Sequence, residues 1–273
     1  VLQEEVVTAF TGYGSLSEEA EILRVYDDEA LRETLEEGQE GYVVSDRTPF
    51  YAEMGGQVGD VGMISSDVFE AEVLDTRKSK NGNTVHKVLV KKGTLSPGTA
   101  LFTVEANVRK STERNHTATH LLHKALKMVL GNHVNQAGSI VLPDKLRFDF
   151  NHFQPMMKDE LKKVEDIVNS EVLMATPVVT EIMSMSEAKS SGAMALFDEK
   201  YGEEVRVLSV GEFSKELCGG THVKNSGEIG LFRITSEAGI ASGVRRIEAV
   251  TGFNAIRLMN ERERMLDEVQ ELV

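Results

Sequence analysis

The chain has 273 residues, 41% hydrophobic and 27% charged, enough to bury a core in one large or two modest domains and too apolar for disorder to dominate. No run approaches the roughly 18 consecutive apolar residues of a membrane helix, and residues 1–8 lack the basic-then-apolar layout of a secretory leader, so a cytoplasmic protein with no membrane partner is expected. Thirty Lys and Arg against 44 Asp and Glu give a net charge of −14, which at face value speaks against a polyanionic partner.

Residues 1–40 hold twelve acids and only two bases, Arg24 and Arg32, a net of −10. This composition predicts an exposed acidic lead-in. From Gly41 the pattern changes to short β-rich runs broken by glycine, at 42–45, 68–76, 84–90 and 101–106, so 41–108 is expected to form a small all-β unit. Asn81-Gly82 supplies the positive φ angles of a tight turn, and the flanking runs should pair as a hairpin. That hairpin carries Arg77, Lys78, Lys80, Lys87, Lys91 and Lys92.

An α+β unit is expected over 109–253. Ser111 can cap a helix whose apolar period runs through Leu121, Leu122, Ala125, Met128 and Val129 to Gly131. Pro155 fits the first turn of a second helix, with Leu161, Val164, Ile167 and Val168 as its stripe. Strand-like runs follow at 178–183, 205–210, 231–236 and 243–251. Ser184 and Glu187 fit a capping box for a short helix leading toward Ala195. Over 254–273, Ala255, Leu258, Met265, Val269 and Leu272 follow three-then-four spacing with Arg262 on the same seam, the start of an amphipathic or coiled-coil helix. A beginning at Val1 and an end inside a helical run lead us to expect a piece of a longer protein.

Cys218 is the single cysteine, which excludes an internal disulfide and directs attention to a thiolate role. In Asn115-His116-Thr117-Ala118-Thr119-His120, two imidazoles four residues apart share one helix face and can converge on an ion. His123 continues that stripe about 4.5 Å beyond His120 and about 10.5 Å from His116 at a rise of about 1.5 Å per residue. Either neighbouring pair is therefore allowed, but not all three. Cys218-Gly219-Gly220-Thr221-His222 adds a thiolate and an imidazole in a glycine-rich loop, and Cys with three His is a tetrahedral zinc set. Gly55-Gly56-Gln57 allows close backbone approach to a ligand, with an amide beside it, or forms an ordinary tight turn. Gln136 and Ser139, expected in a loop after the first helix, are small polar groups suited to a pocket.

Taken together, Phe50-Tyr51-Ala52-Glu53-Met54-Gly55-Gly56-Gln57, His116-Thr117-Ala118-Thr119-His120-Leu121-Leu122-His123, Cys218-Gly219-Gly220-Thr221-His222 and Gly243-Val244-Arg245-Arg246-Ile247-Glu248 resemble the editing region of alanyl-tRNA synthetase. The similarity extends in part to freestanding alanyl-tRNA editing proteins and, more distantly, to the editing domain of threonyl-tRNA synthetase. The resemblance implies an α+β fold with a small N-terminal barrel-like unit, a zinc-containing editing core and a C-terminal helix. It implies hydrolysis of tRNA for alanine mischarged with serine or glycine, with one zinc ion held by His116, His120, Cys218 and His222, and it settles against His123 as a ligand. It places Thr119, Gln136 and Ser139 at the substrate. Gln57, beside its glycine turn, is expected there as well; Gln136 and Cys218 are the expected catalytic residues, with water oriented by Gln136, a backbone group or the ribose hydroxyl. The partners implied are the acceptor end of tRNA, the rest of a parent synthetase and a dimer mate met through the downstream helical region; ATP would serve only the aminoacylation domain, which this chain lacks.

Four protein ligands close a zinc sphere, so the ion is expected to organise the pocket, with activation of a water as the alternative. A generic zinc peptidase is disfavoured, because threonine and alanine stand where that chemistry needs a helix glutamate beside the first histidine. A noncatalytic zinc-stabilised tRNA-binding module and a freestanding deacylase are the competing readings. The terminal segments 1–40 and 254–273 carry −10 and −2, leaving only −2 for the residues between. Within these, Lys78, Lys80, Arg109, Lys110, Arg114, Arg245 and Arg246 are the expected phosphate contacts.

Overall fold

A computed structural model describes residues 7–194 and 203–270. Glu4 and Glu5 of the acidic lead-in, Ala195 and Leu272 lie outside the described residues. The chain divides into two compact units, Val1–Arg109 and Lys110–Val273.

The first unit contains β1 (Ser17–Tyr26), β2 (Glu40–Ser45), β3 (Gly62–Ser65), β4 (Phe69–Lys78), β5 (Thr84–Leu95) and β6 (Gly98–Val104). Their antiparallel order is β6-β3-β4-β5-β2-β1, and β1 pairs again with β6. Six strands thus close into a barrel, which leaves the sheet without edges. Ile22, Val43, Ile64, Val73, Val88 and Phe102 fill its core. Gly82 adopts φ +80° at the tip of the β4–β5 hairpin, as its turn chemistry requires.

Part of the acidic lead-in is not an exposed strip. Residues 17–26 supply β1, the strand that closes the barrel, with Ala20, Ile22 and Val25 buried and Glu19 and Glu21 outside. The period of two lets one strand be acidic on its outer face and apolar on its inner one. The basic hairpin is also countered. Lys87 meets Glu40 at 2.8 Å, Lys91 meets Glu72 at 3.5 Å, Lys92 meets Glu70 at 3.8 Å, and Arg77 pairs with Asp75 and Glu53. Exposed pairs of this kind contribute little stability, but they weaken the local positive field.

Next come α1 (Ala106–Leu130), β7 (Gln136–Val141), β8 (Leu146–Asn151), α2 (Lys158–Leu173), β9 (Val178–Ser184), α3 (Met185–Ser190), β10 (Glu204–Val210), β11 (Ser214–Leu217), β12 (Phe232–Ala241), β13 (Val244–Thr251) and α4 (Gly252–Gln270). Helix α1 starts before Ser111. Arg109 N donates to the Glu105 carbonyl at 3.0 Å and Glu105 Oε1 accepts from Asn107 N at 3.3 Å, so Glu105 caps the first turn and Ser111 lies inside the helix. Pro155 precedes α2 rather than opening it, with Met157 at the cap. The capping box of Ser184 and Glu187 forms as expected. In α4, Ala255 is buried, whereas Met265 and Val269 are exposed.

Two sheets organise the second unit: an antiparallel set β7-β8-β13-β12 and a smaller set β9-β10-β11. Leu121, Leu122 and Leu126 of α1 pack with Phe148 and Phe150 of β8, Val164 and Val168 of α2 and Ile247 of β13 in one core. Residues 136–139, expected as loop, lie on strand β7. Strand β8 escaped the sequence reading, although Leu146, Phe148 and Phe150 alternate with polar neighbours. The α+β class, the N-terminal barrel and the C-terminal helix match the expectation.

Candidate metal centre

Every residue from 115 to 123 is buried, so the middle of α1 has no solvent face. An all-round buried turn is normally apolar, yet this one carries Asn115, His116, Thr117, Thr119, His120 and His123. Such polar groups need partners inside the protein. The Asn115 amide donates to the Leu142 carbonyl at 2.7 Å and accepts from Thr251 Oγ1 at 2.7 Å. Thr119 Oγ1 donates to the Asn115 carbonyl at 2.8 Å.

The i and i+4 spacing stacks His116 and His120, with ring centroids 5.3 Å apart and planes 17° from parallel. Cys218 follows β11 directly, and its amide donates to the Arg206 carbonyl at 3.0 Å. Arg206 Nη1 donates to the carbonyls of Cys218 at 2.9 Å and Gly220 at 2.8 Å, pinning the first half of the loop. His222 reaches the same point from the other side of that loop, its ring 4.4 Å from His116. Thr117 Oγ1 lies 3.2 Å from His222 Nδ1 and accepts from Val223 N at 3.2 Å.

One ligand atom from each of His116, His120, Cys218 and His222 lies within 4.8 Å of all the others. Cys218 Sγ is 3.4 Å from His116 Nε2 and 3.2 Å from His222 Nε2. Around tetrahedral zinc, with bonds of about 2.0–2.3 Å, neighbouring donors stand about 3.3–3.6 Å apart. His120 Nε2 is buried and makes no hydrogen bond among the described residues, whereas His120 Nδ1 is held by Glu216. An inward nitrogen with no hydrogen bond beside a thiol and two imidazoles fits a cation, so these four residues could hold a metal ion.

The electrostatics suit the same purpose. Burial would raise the Cys218 thiol, but His116, His222 and His120 hold it well below the ordinary cysteine range. Burial depresses His222 to about 3, outweighing the pull of Cys218. For His120 burial also opposes the charge, but Glu216 and the Cys218 thiolate outweigh it and raise the group to about 10. Burial likewise opposes the charge of Glu216, and His120 with His123 brings it down to about 2. A ready thiolate beside a neutral imidazole is a zinc donor set, and a cation would replace the proton on His120.

Comparison with known proteins bears on the same segments. Residues 1–110 match the family described as tRNA synthetases class II (A), and residues 205–248, which hold Cys218 and His222, match the threonyl and alanyl tRNA synthetase second additional domain. The alanine–tRNA ligase of Alkaliphilus oremlandii is 48% identical over 271 residues, that of Alkaliphilus metalliredigens 49% over 273, and that of Listeria monocytogenes 51% over 267. Along nearly its whole length the chain is similar to one segment of these alanine–tRNA ligases. These alignments cover 97% to 100% of this chain and 30% or 31% of each relative, so the chain spans about a third of the length of the synthetases it matches.

The other expected site residues are dispersed. Thr119 is buried beside His120, and Gln136 and Ser139 are half-buried on β7, an edge strand with a bulge between Gln136 and Gly138. Gln57 belongs to the first unit, where it is fully buried. Gly55 and Gly56 there take φ +59° and +85°, while Met54 and Gln57 exchange backbone hydrogen bonds at 3.2 and 3.1 Å, a tight turn.

The expected phosphate contacts fare unevenly. Arg109 is a correction: only 1% exposed, its guanidinium binds Asp60 and the carbonyls of Gly12 and Pro49, so it faces the interior of the first unit. Arg245 pairs with Glu237, Arg246 with Asp149 at 2.7 and 2.9 Å, and Arg114 Nε with the Glu228 carbonyl at 2.9 Å. Lys78 is exposed with Nζ 2.8 Å from Thr84 Oγ1; Lys80 and Lys110 are also exposed. The sequence reading passed over Arg206 and Glu216. Glu216 was legible as an acid two residues before Cys218, near the end of a short strand.

Proposed function

We propose that this chain is the editing segment of an alanine–tRNA ligase, hydrolysing the aminoacyl ester of tRNA for alanine mischarged with serine or glycine. The observation that carries the reading is the convergence of His116, His120, Cys218 and His222 within a chain similar to these ligases. These four residues would hold one zinc ion. Its fixed positive charge would organise the pocket and attract polar groups of the substrate.

The chain's own side chains account for the rest. Thr119, Gln136 and Ser139 offer hydroxyl and amide groups to a seryl side chain, which alanine cannot match. An added hydroxyl or methylene changes binding in a synthetic pocket by only about 1–3 kcal/mol, which is why a second site is needed. Gln136 would orient the attacking water toward the ester carbonyl. Cys218 acts as the anionic ligand, held in place through its backbone by Arg206. The partners are the acceptor end of tRNA and the remainder of the synthetase, which supplies ATP-dependent aminoacylation in the cytoplasm. Dimerisation would use the helical region that follows α4.

A second reading, a noncatalytic zinc-stabilised tRNA-binding module, is favoured by the presence of four protein donors, the coordination of a structural site. Deacylation of purified Ser-, Gly- and Ala-tRNA side by side, with and without a chelator, separates the two. Editing predicts rapid loss of serine and glycine, retention of alanine, and abolition by Cys218→Ala with His222→Ala. Unchanged Ser-tRNA hydrolysis in that double variant would sink the editing proposal.

A further inference from the structure

The carboxylate of Glu216 is 1% exposed, and the two hydrogen bonds it receives from side chains come from imidazoles one helical turn apart on α1. Oε2 is engaged by Nδ1 of His120, and Oε1 by Nδ1 of His123 at 2.7 Å. His123 does not join the four-residue cluster. Its ring instead lies 5.3 Å from that of Phe148, with Nε2 buried and making no hydrogen bond among the described residues. A buried carboxylate is costly unless its oxygens are satisfied, so the fold keeps three ionisable groups where an apolar contact would have served packing. What they achieve jointly is orientation. An acceptor on Nδ1 holds the proton there and turns Nε2 of His120, which makes no other hydrogen bond, toward Cys218 and His222.

We propose that Glu216 is the positioning residue of the metal centre and that His123 acts through it, fixing the carboxylate so that His120 presents Nε2 to the ion. This rests on the reading that His116, His120, Cys218 and His222 hold a metal. It gives the third histidine of the stripe a role as an indirect support. Glu216→Gln keeps the shape but replaces one acceptor oxygen with a donor, so it cannot accept from both Nδ1–H groups. His123→Phe keeps an aromatic body against Phe148 and removes the donor.

The test measures zinc affinity by competition with a chromophoric chelator, together with long-range proton–nitrogen NMR of the imidazoles in the zinc-loaded chain. In the unaltered protein, His120 and His123 should both carry their proton on Nδ1, an observation that needs no variant to fold. Glu216→Gln should weaken zinc binding about 10- to 100-fold, and His123→Phe by less. Val168→Ala, a core truncation on α2, should lower thermal stability with zinc affinity unchanged, which separates positioning from general loosening. Glu216→Asp serves if the glutamine variant does not fold, and should also bind more weakly because it cannot reach both rings. Tight zinc binding by the unaltered chain, with equal affinity in a folded Glu216 variant or with a proton on Nε2 of His123, overturns the inference alone. Failure of the unaltered chain to bind zinc overturns the metal reading and the inference with it.

Discussion

Arg206 grips Cys218 through its main chain: Nη1 donates to the Cys218 carbonyl at 2.9 Å, while the Cys218 amide donates to the Arg206 carbonyl at 3.0 Å. The main chain that carries the thiol is therefore tied to a residue of β10. Arg206→Ala should leave the unit folded but weaken zinc binding by about tenfold. Arg206→Lys should recover part of the loss, since an ammonium can reach one carbonyl without the fork. Chelator competition reads both, and full affinity in the alanine variant contradicts the role.

Replacing Cys218 and His222 together by alanine removes two of four donors, including the only thiolate. Zinc content by elemental analysis should fall from about one ion per chain to near zero, because a two-histidine remnant is a weak site. Retention of stoichiometric zinc would show that the ion binds elsewhere.

Arg109 tests the difference between a phosphate contact and an internal clamp. Its Nε lies 3.0 Å from both Asp60 oxygens, and its other nitrogens reach Gly12 and Pro49. Arg109→Ala leaves the buried Asp60 charge without its guanidinium and should cost about 3–5 kcal/mol in denaturant unfolding of the first unit. A loss of tRNA affinity with unchanged stability would restore the sequence reading.

His86 sets a pH limit on the barrel. It sits between Phe50 and Phe102, with ring centroids 5.4 Å from each, and bonds Thr48 Oγ1 and the Val43 carbonyl. Burial lowers it to about 4, below its ordinary value of 6.5. The native state therefore favours the neutral ring. Its stability is complete above pH 6.5, falls as the unfolded chain gains a proton, and levels off below about pH 4, a total of about 3 kcal/mol. Urea midpoints across that range should show the slope, and His86→Gln should flatten it. An identical slope in that variant assigns the effect to other groups.

The four candidate donors were legible in the sequence because their spacing is local. Four residues on a helix place His116 and His120 on one face, and Cys218 with His222 closes a short loop, whatever the rest of the chain does. The hairpin at Gly82 and the class of fold were readable for the same reason: turn chemistry and hydrophobic period act over a few residues. The acidic lead-in misled because composition averages over both faces of a strand, hiding Ala20, Ile22 and Val25 among glutamates. Charge counting likewise could not tell that Arg109 points inward.

The sequence by itself determined which donors this chain can offer a metal and which family it resembles. Only the tertiary structure decided that residues about a hundred positions apart, His116 and Cys218, come within 3.4 Å, and that Glu216 ties His123 to His120. Such pairings bring β11 and the loop after it to α1 from far along the chain, a consequence of tertiary packing that no local spacing encodes.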